Sequence, residues 1–390
     1  MSEVSIFNKV SKNLLISFFF IPALSILGPF FPDLIISITV LFSIFVSFYK
    51  KDNELIKLIK KDFFLITFFI FFLYLILNSF INFFNNNLFS IKEFQSYFSR
   101  SLFLFRFIVY PISIIFLIKK FNLMIKKEYL LIIIITFSFV ILDLIFQYYN
   151  GTDIFGFYAQ ERGLKTAVRL SGPFGDELIP GSFLTRYLFI MLLSLYFIIN
   201  KNYLSFAIFF TITITLVTIL ITGERSALIL ASFGVLIFFL LYKDLRLKIS
   251  LAILSVILIS SLLLITNAPL KKRMIDYTLF QTGISNSWGS NSYMKYLNVT
   301  ESKLIDSHYG AHWETGYRIW EDNKLIGIGL KQFRKKCADK KYDDIKSALK
   351  SIRCATHPHH TYIEILSETG LVGLLIFLTL IYGLFKKIFT

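Results

Sequence analysis

The chain has 390 residues, of which 55% are hydrophobic and 46 are Phe. A soluble domain cannot hide that much apolar surface, so the composition excludes a soluble globular protein and predicts a bilayer protein. The net charge of +16 invites a nucleic-acid reading. The basic residues are spread over alternate short loops, however, and that pattern excludes nucleic acid in favour of a membrane-orientation signal.

A bilayer-crossing helix needs about 20 apolar residues. Ten segments qualify, approximately 14–31, 34–49, 63–84, 101–118, 129–149, 183–199, 203–222, 226–242, 249–266 and 369–386. The expected fold class is therefore an all-α polytopic membrane protein. The first two segments are short and separated only by Pro29 to Asp33, so two spans and a re-entrant hairpin both stay open there. No small-residue cleavage site follows the first apolar run, and no cleavable signal peptide is expected.

Lysine and arginine mark every second loop: Lys9 and Lys12, then Lys50 to Lys61, Lys119 to Lys127, Lys201, Lys243 to Lys248, and Lys386 with Lys387. The positive-inside rule then predicts that both termini are cytoplasmic. The loops 29–33, 85–100, 150–182, 223–225 and 267–368 fall on the other side. The last is exempt from the rule by its length. Three regions are expected: 1–266 with nine helices and an outer loop at 150–182, the large outer loop 267–368, and 369–390 with the last helix and a short tail.

Arg106, Asp143 and Arg186 are the ionisable residues within the apolar segments. Intramembrane charges are costly and mark function by default. An ion pair between helices, such as Arg106 with Asp143, is the structural alternative. Cys337 and Cys354 are the two cysteines, both in the large loop. An extracytoplasmic loop permits a disulfide between them. Free thiols and zinc ligation are the alternatives, though no close Cys pair of the usual zinc spacing is present.

Three segments carry candidate chemistry. Gly223-Glu224-Arg225-Ser226-Ala227 forms a tight turn between two apolar helices. It fixes a guanidinium at the membrane surface, where its planar fork suits phosphate; interfacial snorkelling would also explain it. Tyr317 to Phe333 reads as a short amphipathic helix over Thr315–Asn323 followed by Gly327-Ile328-Gly329. A loop salt bridge is the structural explanation for Arg318 within it.

The third segment holds histidine. All five histidines lie between His308 and His360, three of them in His357-Pro358-His359-His360. Imidazole titrates near physiological pH, so the string predicts proton handling. His359 precedes a helix in which Glu364 and Glu368 share a face. A carboxylate beside an imidazole can fix its tautomer and raise its basicity, which suits a general base. A hydrated surface cluster and a metal site are the competing explanations.

Arg169-Leu170-Ser171-Gly172-Pro173-Phe174, the Gly-Glu-Arg-Ser-Ala turn, the Arg318 to Phe333 stretch and His357 to Gly373 occur in that order. Together they resemble the O-antigen ligase and polymerase superfamily of bacterial envelope proteins. Members often have about twelve spans, and this chain shows ten. The resemblance implies a metal-independent glycosyl transfer from an undecaprenyl-pyrophosphate-linked donor, without a cofactor, on the periplasmic face of the inner membrane. It maps the functional arginine onto Arg225, a second arginine onto Arg318 and the base onto His359. His360 stands where the family commonly has Asn and is the other candidate for the base. Arg169, Arg186, Glu224, His357, His360 and Glu368 are expected to bind substrate. The expected acceptor is a lipid A–core hydroxyl, which makes the protein an O-antigen ligase. A polymerase joining lipid-linked repeat units is the runner-up. A lipid-linked sugar flippase fits less well, because it predicts midplane charges and internal repeats. A non-catalytic envelope scaffold leaves the co-placed Arg and His motifs unexplained.

Overall fold

The structure, a computed structural model, describes residues 3–85, 91–161, 168–281, 308–347 and 350–389. Arg162 and Lys165, which belong to the loop after the sixth helix, lie outside the described residues, as does the stretch 282–307 of the large loop.

The chain is an all-α polytopic membrane protein. Nine helices among the described residues are long and apolar enough to cross a membrane. These are α1 (Glu3–Ile26), α2 (Phe30–Tyr49), α4 (Phe63–Asn85), α5 (Ile91–Lys120), α6 (Lys127–Asn150), α7 (Pro180–Ile198), α8 (Lys201–Ile221), α10 (Arg246–Thr266) and α12 (Thr361–Phe389). The tenth expected span is helix α9 (Arg225–Leu241), which has 17 residues. At about 1.5 Å per residue it is roughly 26 Å long, just under a typical hydrocarbon core. The further helices include the short amphipathic α3 (Glu54–Lys60) and the more polar α11 (His308–Asp322). The strands among the described residues, Gln160–Glu161 and Val168–Arg169, pair antiparallel as a small ribbon.

Packing divides the chain into two units, each drawn from two stretches of sequence. The first comprises Met1–Ile35 and Lys120–Thr278. Its core lies among α6, α7, α8, α9 and α10, where Val140, Leu184, Leu188, Ile212 and Ile249 have no more than trace exposure. Local chemistry sets the helix ends. Pro180 stands in the first turn of α7, where its missing N–H costs nothing. The Asn200 side chain accepts the Asn202 amide and caps α8.

The second unit comprises Ile36–Lys119 and Leu279–Thr390. Here α12 packs on α4 and on α11. Helix α12 is broken at Gly370, whose φ is +68°. A break leaves backbone groups without helical partners, which is tolerable at membrane depth only when something else satisfies them. The stretch Lys324–Gly329 does so. Leu371 and Val372 donate to the carbonyls of Lys324 and Leu325, while Ile328 and Gly329 donate to those of Ser367 and Glu368. Gly327, with φ +73°, faces Gly370 across this pairing. A Cβ on Gly327 would lie 2.6 Å from the Gly370 nitrogen, so both chains approach as closely as bare backbone allows. The Gly-Ile-Gly turn therefore braces a helix kink.

Candidate functional site

The residues singled out by the sequence fall into two groups, one in each unit. In the first unit the segment after α6 is tied down by that helix. Gln147 accepts the amides of Ser171 and Gly172 at 3.1 and 2.8 Å. Asp143 accepts the amide of Ile154 at 2.9 Å. This fixes the Arg169–Phe174 motif, and the Arg169 guanidinium donates to the Leu178 carbonyl at 2.9 Å.

The turn between α8 and α9 lies beside it. Arg225 donates to the Thr278 hydroxyl at 3.1 Å and stands 4.7 Å over the Tyr277 ring. Arg273 donates to the Gly223 carbonyl at 3.2 Å and lies 5.7 Å from the same ring. The Gly223 Cα position is also flanked by the Arg169 side chain. Three arginine side chains from three separated segments thus meet at one turn. Arg273 drew no notice in the sequence, because nothing local distinguishes it from other basic loop residues.

Glu224 has a different task. It is buried, and its carboxylate accepts the amides of Gly181 and Ser182 at 2.7 and 3.2 Å and the Ser182 hydroxyl at 2.9 Å. An anionic acceptor at a helix N-terminus satisfies orphan donors and the helix dipole together. Arg186 is exposed, on α7. Arg106, in the second unit, lies over the rings of Phe103 and Phe107.

In the second unit the histidines converge. The rings of His357 and His359 are 4.2 Å apart, and His312 of α11 lies 5.4 Å from His359. Tyr309 and Trp313, on the same face of α11, contact His359 and His360 at 5.8 and 5.3 Å. His359 has φ +54°. A non-glycine residue in that region is uncommon, and such backbone clusters at functional sites. The His360 Nδ1 accepts the Ile363 amide at 3.3 Å and so caps the start of α12. That leaves His359 outside the helix, with an exposed edge. Packing among neighbouring rings lowers its pKa first by desolvation and then by the charges of His357 and His312; Glu364 opposes this.

The two carboxylates of α12 are held elsewhere. Glu364 is ion-paired with Lys331. The fully buried Glu368 accepts the amides of Lys331 and Phe333 at 2.7 and 3.3 Å. Both brace the turn after Gly329. The influence of Glu364 on His359 is electrostatic.

Arg318 sits on a different face of α11 from His312. It pairs with Asp344 at 2.5 Å and with Glu314 at 3.7 Å. It borders a cleft of about 430 Å³ with Tyr317, Glu321, Asp322 and Lys341. Cys337 and Cys354 are joined in a disulfide with a Cα separation of 5.3 Å. Among the described residues no group of three or more His, Cys, Asp or Glu is arranged to hold a metal ion.

Fold and site together define a polytopic membrane protein that presents guanidinium groups and a packed imidazole cluster beside the ends of apolar helices. Residues 208–378 match a family model described as O-antigen ligase. The match includes Arg225, Arg318 and the histidine string and leaves Arg169 and Arg186 outside it. No curated protein and no solved structure gives a match.

Proposed function

We propose that the protein is a glycosyltransferase of the ligase type. It transfers a glycan from an undecaprenyl-pyrophosphate carrier to a hydroxyl of lipid A–core on the periplasmic face of the inner membrane. His359 takes the proton of the acceptor hydroxyl. The oxygen attacks the anomeric carbon, the carbon–oxygen bond to the pyrophosphate breaks, and the carrier pyrophosphate leaves with the electron pair. Arg225, with Arg169 and Arg273 around the same turn, stabilises the charge that develops on it. Arg318 serves the same group once it exchanges Asp344 for phosphate. His357 and His360 flank the base, and Arg186 meets the donor at the membrane edge. Glu224 and Glu368 act by bracing backbone. Pyrophosphate is a good leaving group when paired with guanidinium, so the scheme runs without metal or nucleotide.

The observation that carries this reading is the imidazole of His359. It is packed among aromatic rings, lowered in pKa and open to solvent on one edge, within the stretch that matches the family. A base poised below its ordinary value is deprotonated at neutral pH and available for the acceptor proton. The test is genetic. Cells lacking the gene are complemented with wild type, His359→Ala or Arg225→Ala, and the lipopolysaccharide ladder and lipid-linked pool are examined. Ligase loss leaves bare core and long polymer on the carrier. Core carrying a single repeat would instead indicate the polymerase. A normal ladder with both variants would sink the assignment.

A further inference from the structure

His312 drew no attention in the sequence, yet it is the most constrained histidine of the cluster. It is buried, and its Nδ1 lies 2.9 Å from the Arg353 carbonyl. A carbonyl oxygen can only accept, so Nδ1 carries the hydrogen. In the neutral ring the lone pair is then on Nε2. The partner hydrogen bond thus selects one tautomer.

Arg353 is itself held from two sides. It precedes Cys354, which is disulfide-bonded to Cys337. Its Nε donates back to the Cys337 carbonyl at 3.0 Å, and its guanidinium pairs with Asp343 at 2.5 Å. Cys337 is fully buried among Ile319, Phe333 and Tyr342. The carbonyl that fixes His312 is therefore anchored to the core of this unit. From there α11 carries the His312 ring to 5.4 Å from His359.

We infer that His312 is a positioning residue for His359: the disulfide-anchored carbonyl of Arg353 fixes its tautomer, and its Nε2 orients and tunes the catalytic imidazole. The inference rests on the reading of His359 as the base. The titratable groups that face His359 are His357 and Tyr309 beside it, His312 from α11 and Glu364 from α12. His312 is the one of these that is buried and has its tautomer set by backbone.

The test uses the full-length protein in proteoliposomes with a lipid-linked glycan donor and lipid A–core acceptor, following carrier release against pH. Two variants are compared with wild type. His312→Ala removes the ring. His312→Asn keeps an N–H that can reach the Arg353 carbonyl but has no second ring nitrogen. Both are expected to lose roughly tenfold or more in kcat with little change in donor KM. The acidic limb should move to higher pH in both, because removing His312 lessens the desolvation and charge that hold the His359 pKa down. If His312→Ala fails to fold, His312→Asn decides alone. Wild-type kcat and pH limb in His312→Asn would reduce His312 to a structural anchor and overturn the inference. His359→Ala is run alongside. Its full activity would remove the base assignment and this inference with it, whereas an inactive His359→Ala beside a wild-type-like His312→Asn would defeat the inference alone.

Discussion

The carboxylate of Glu224 accepts the backbone N–H of Gly181 at 2.7 Å, across 43 residues of sequence. This contact joins the Gly-Glu-Arg turn to the first turn of α7. The position of Arg225 is thereby locked one residue away from a buried cap. Glu224→Ala should destabilise the protein by about 2 kcal/mol, from the lost cap and the stranded amides. Thermal melting of the detergent-solubilised protein measures this. A melting temperature equal to wild type, with activity lost, would instead return Glu224 to substrate binding.

Gly370 and Gly327 should resist substitution equally. Either Cβ would overlap the opposite backbone in a left-handed conformation. Gly370→Ala and Gly327→Ala should each cost about 3 kcal/mol or more, since overlap adds to the conformational strain. Yield and melting temperature in detergent are the measurements, and a neutral Gly370→Ala would mean that the kink of α12 needs no such brace.

Reduction of Cys337–Cys354 should lower stability by about 3 kcal/mol, the scale for a ring of this size. Because Arg353 adjoins the bridge, reduction should also diminish activity below the melting transition. Thiol labelling of the native protein should fail without reductant. Ready labelling would show that the thiols are free.

The pH dependence follows from His359. Its pKa is held below the ordinary 6.5, chiefly by desolvation. The neutral, active base therefore persists into mildly acidic solution, and the acidic limb of kcat/KM, which reports the free enzyme, should have its midpoint below pH 6.5. The stability sign runs the same way. The unfolded chain takes up this proton near 6.5 and the folded chain only at lower pH. The native state is thus penalised as pH falls from 6.5 towards the folded value, and nothing is lost above that window. An activity limb above pH 6.5 would contradict the depressed imidazole.

Much of the fold was legible because bilayer helices declare themselves by unbroken apolar length. Each of the ten expected segments has its helix, though the first, 14–31, runs past the end of α1 at Ile26 and α9 is short. The helix expected just after the histidine string is α12, which starts at Thr361, eight residues before its apolar segment, and carries Glu364 and Glu368; the partners of these carboxylates, Lys331 and the backbone at 331 and 333, were not legible. The start of α11 was placed late, at Thr315, where the structure has helix from His308. Of the candidate site, Arg225 and the histidine string were the parts that residue type and local pattern single out, and folding packs the His357 and His359 rings 4.2 Å apart. The cap by Glu224, the joining of Arg273 to the Gly223 turn and the anchoring of His312 depend on partners 40 to 50 residues away. No local pattern encodes such contacts. Arg318, which the family resemblance maps onto a pyrophosphate-facing arginine, pairs in the fold with Asp344, 26 residues away, and with Glu314.

The central claim is that His359 is the base of a glycosyl transfer from a lipid pyrophosphate. Its most direct test measures release of undecaprenyl pyrophosphate in proteoliposomes holding donor and acceptor, with chelator and no nucleotide, for wild type and His359→Ala. The account predicts turnover by the wild type and a loss of roughly 10²-fold or more in kcat for the variant, the usual scale for removing a general base. Wild-type turnover by His359→Ala, or no turnover by either until a metal ion or nucleotide is added, would contradict it.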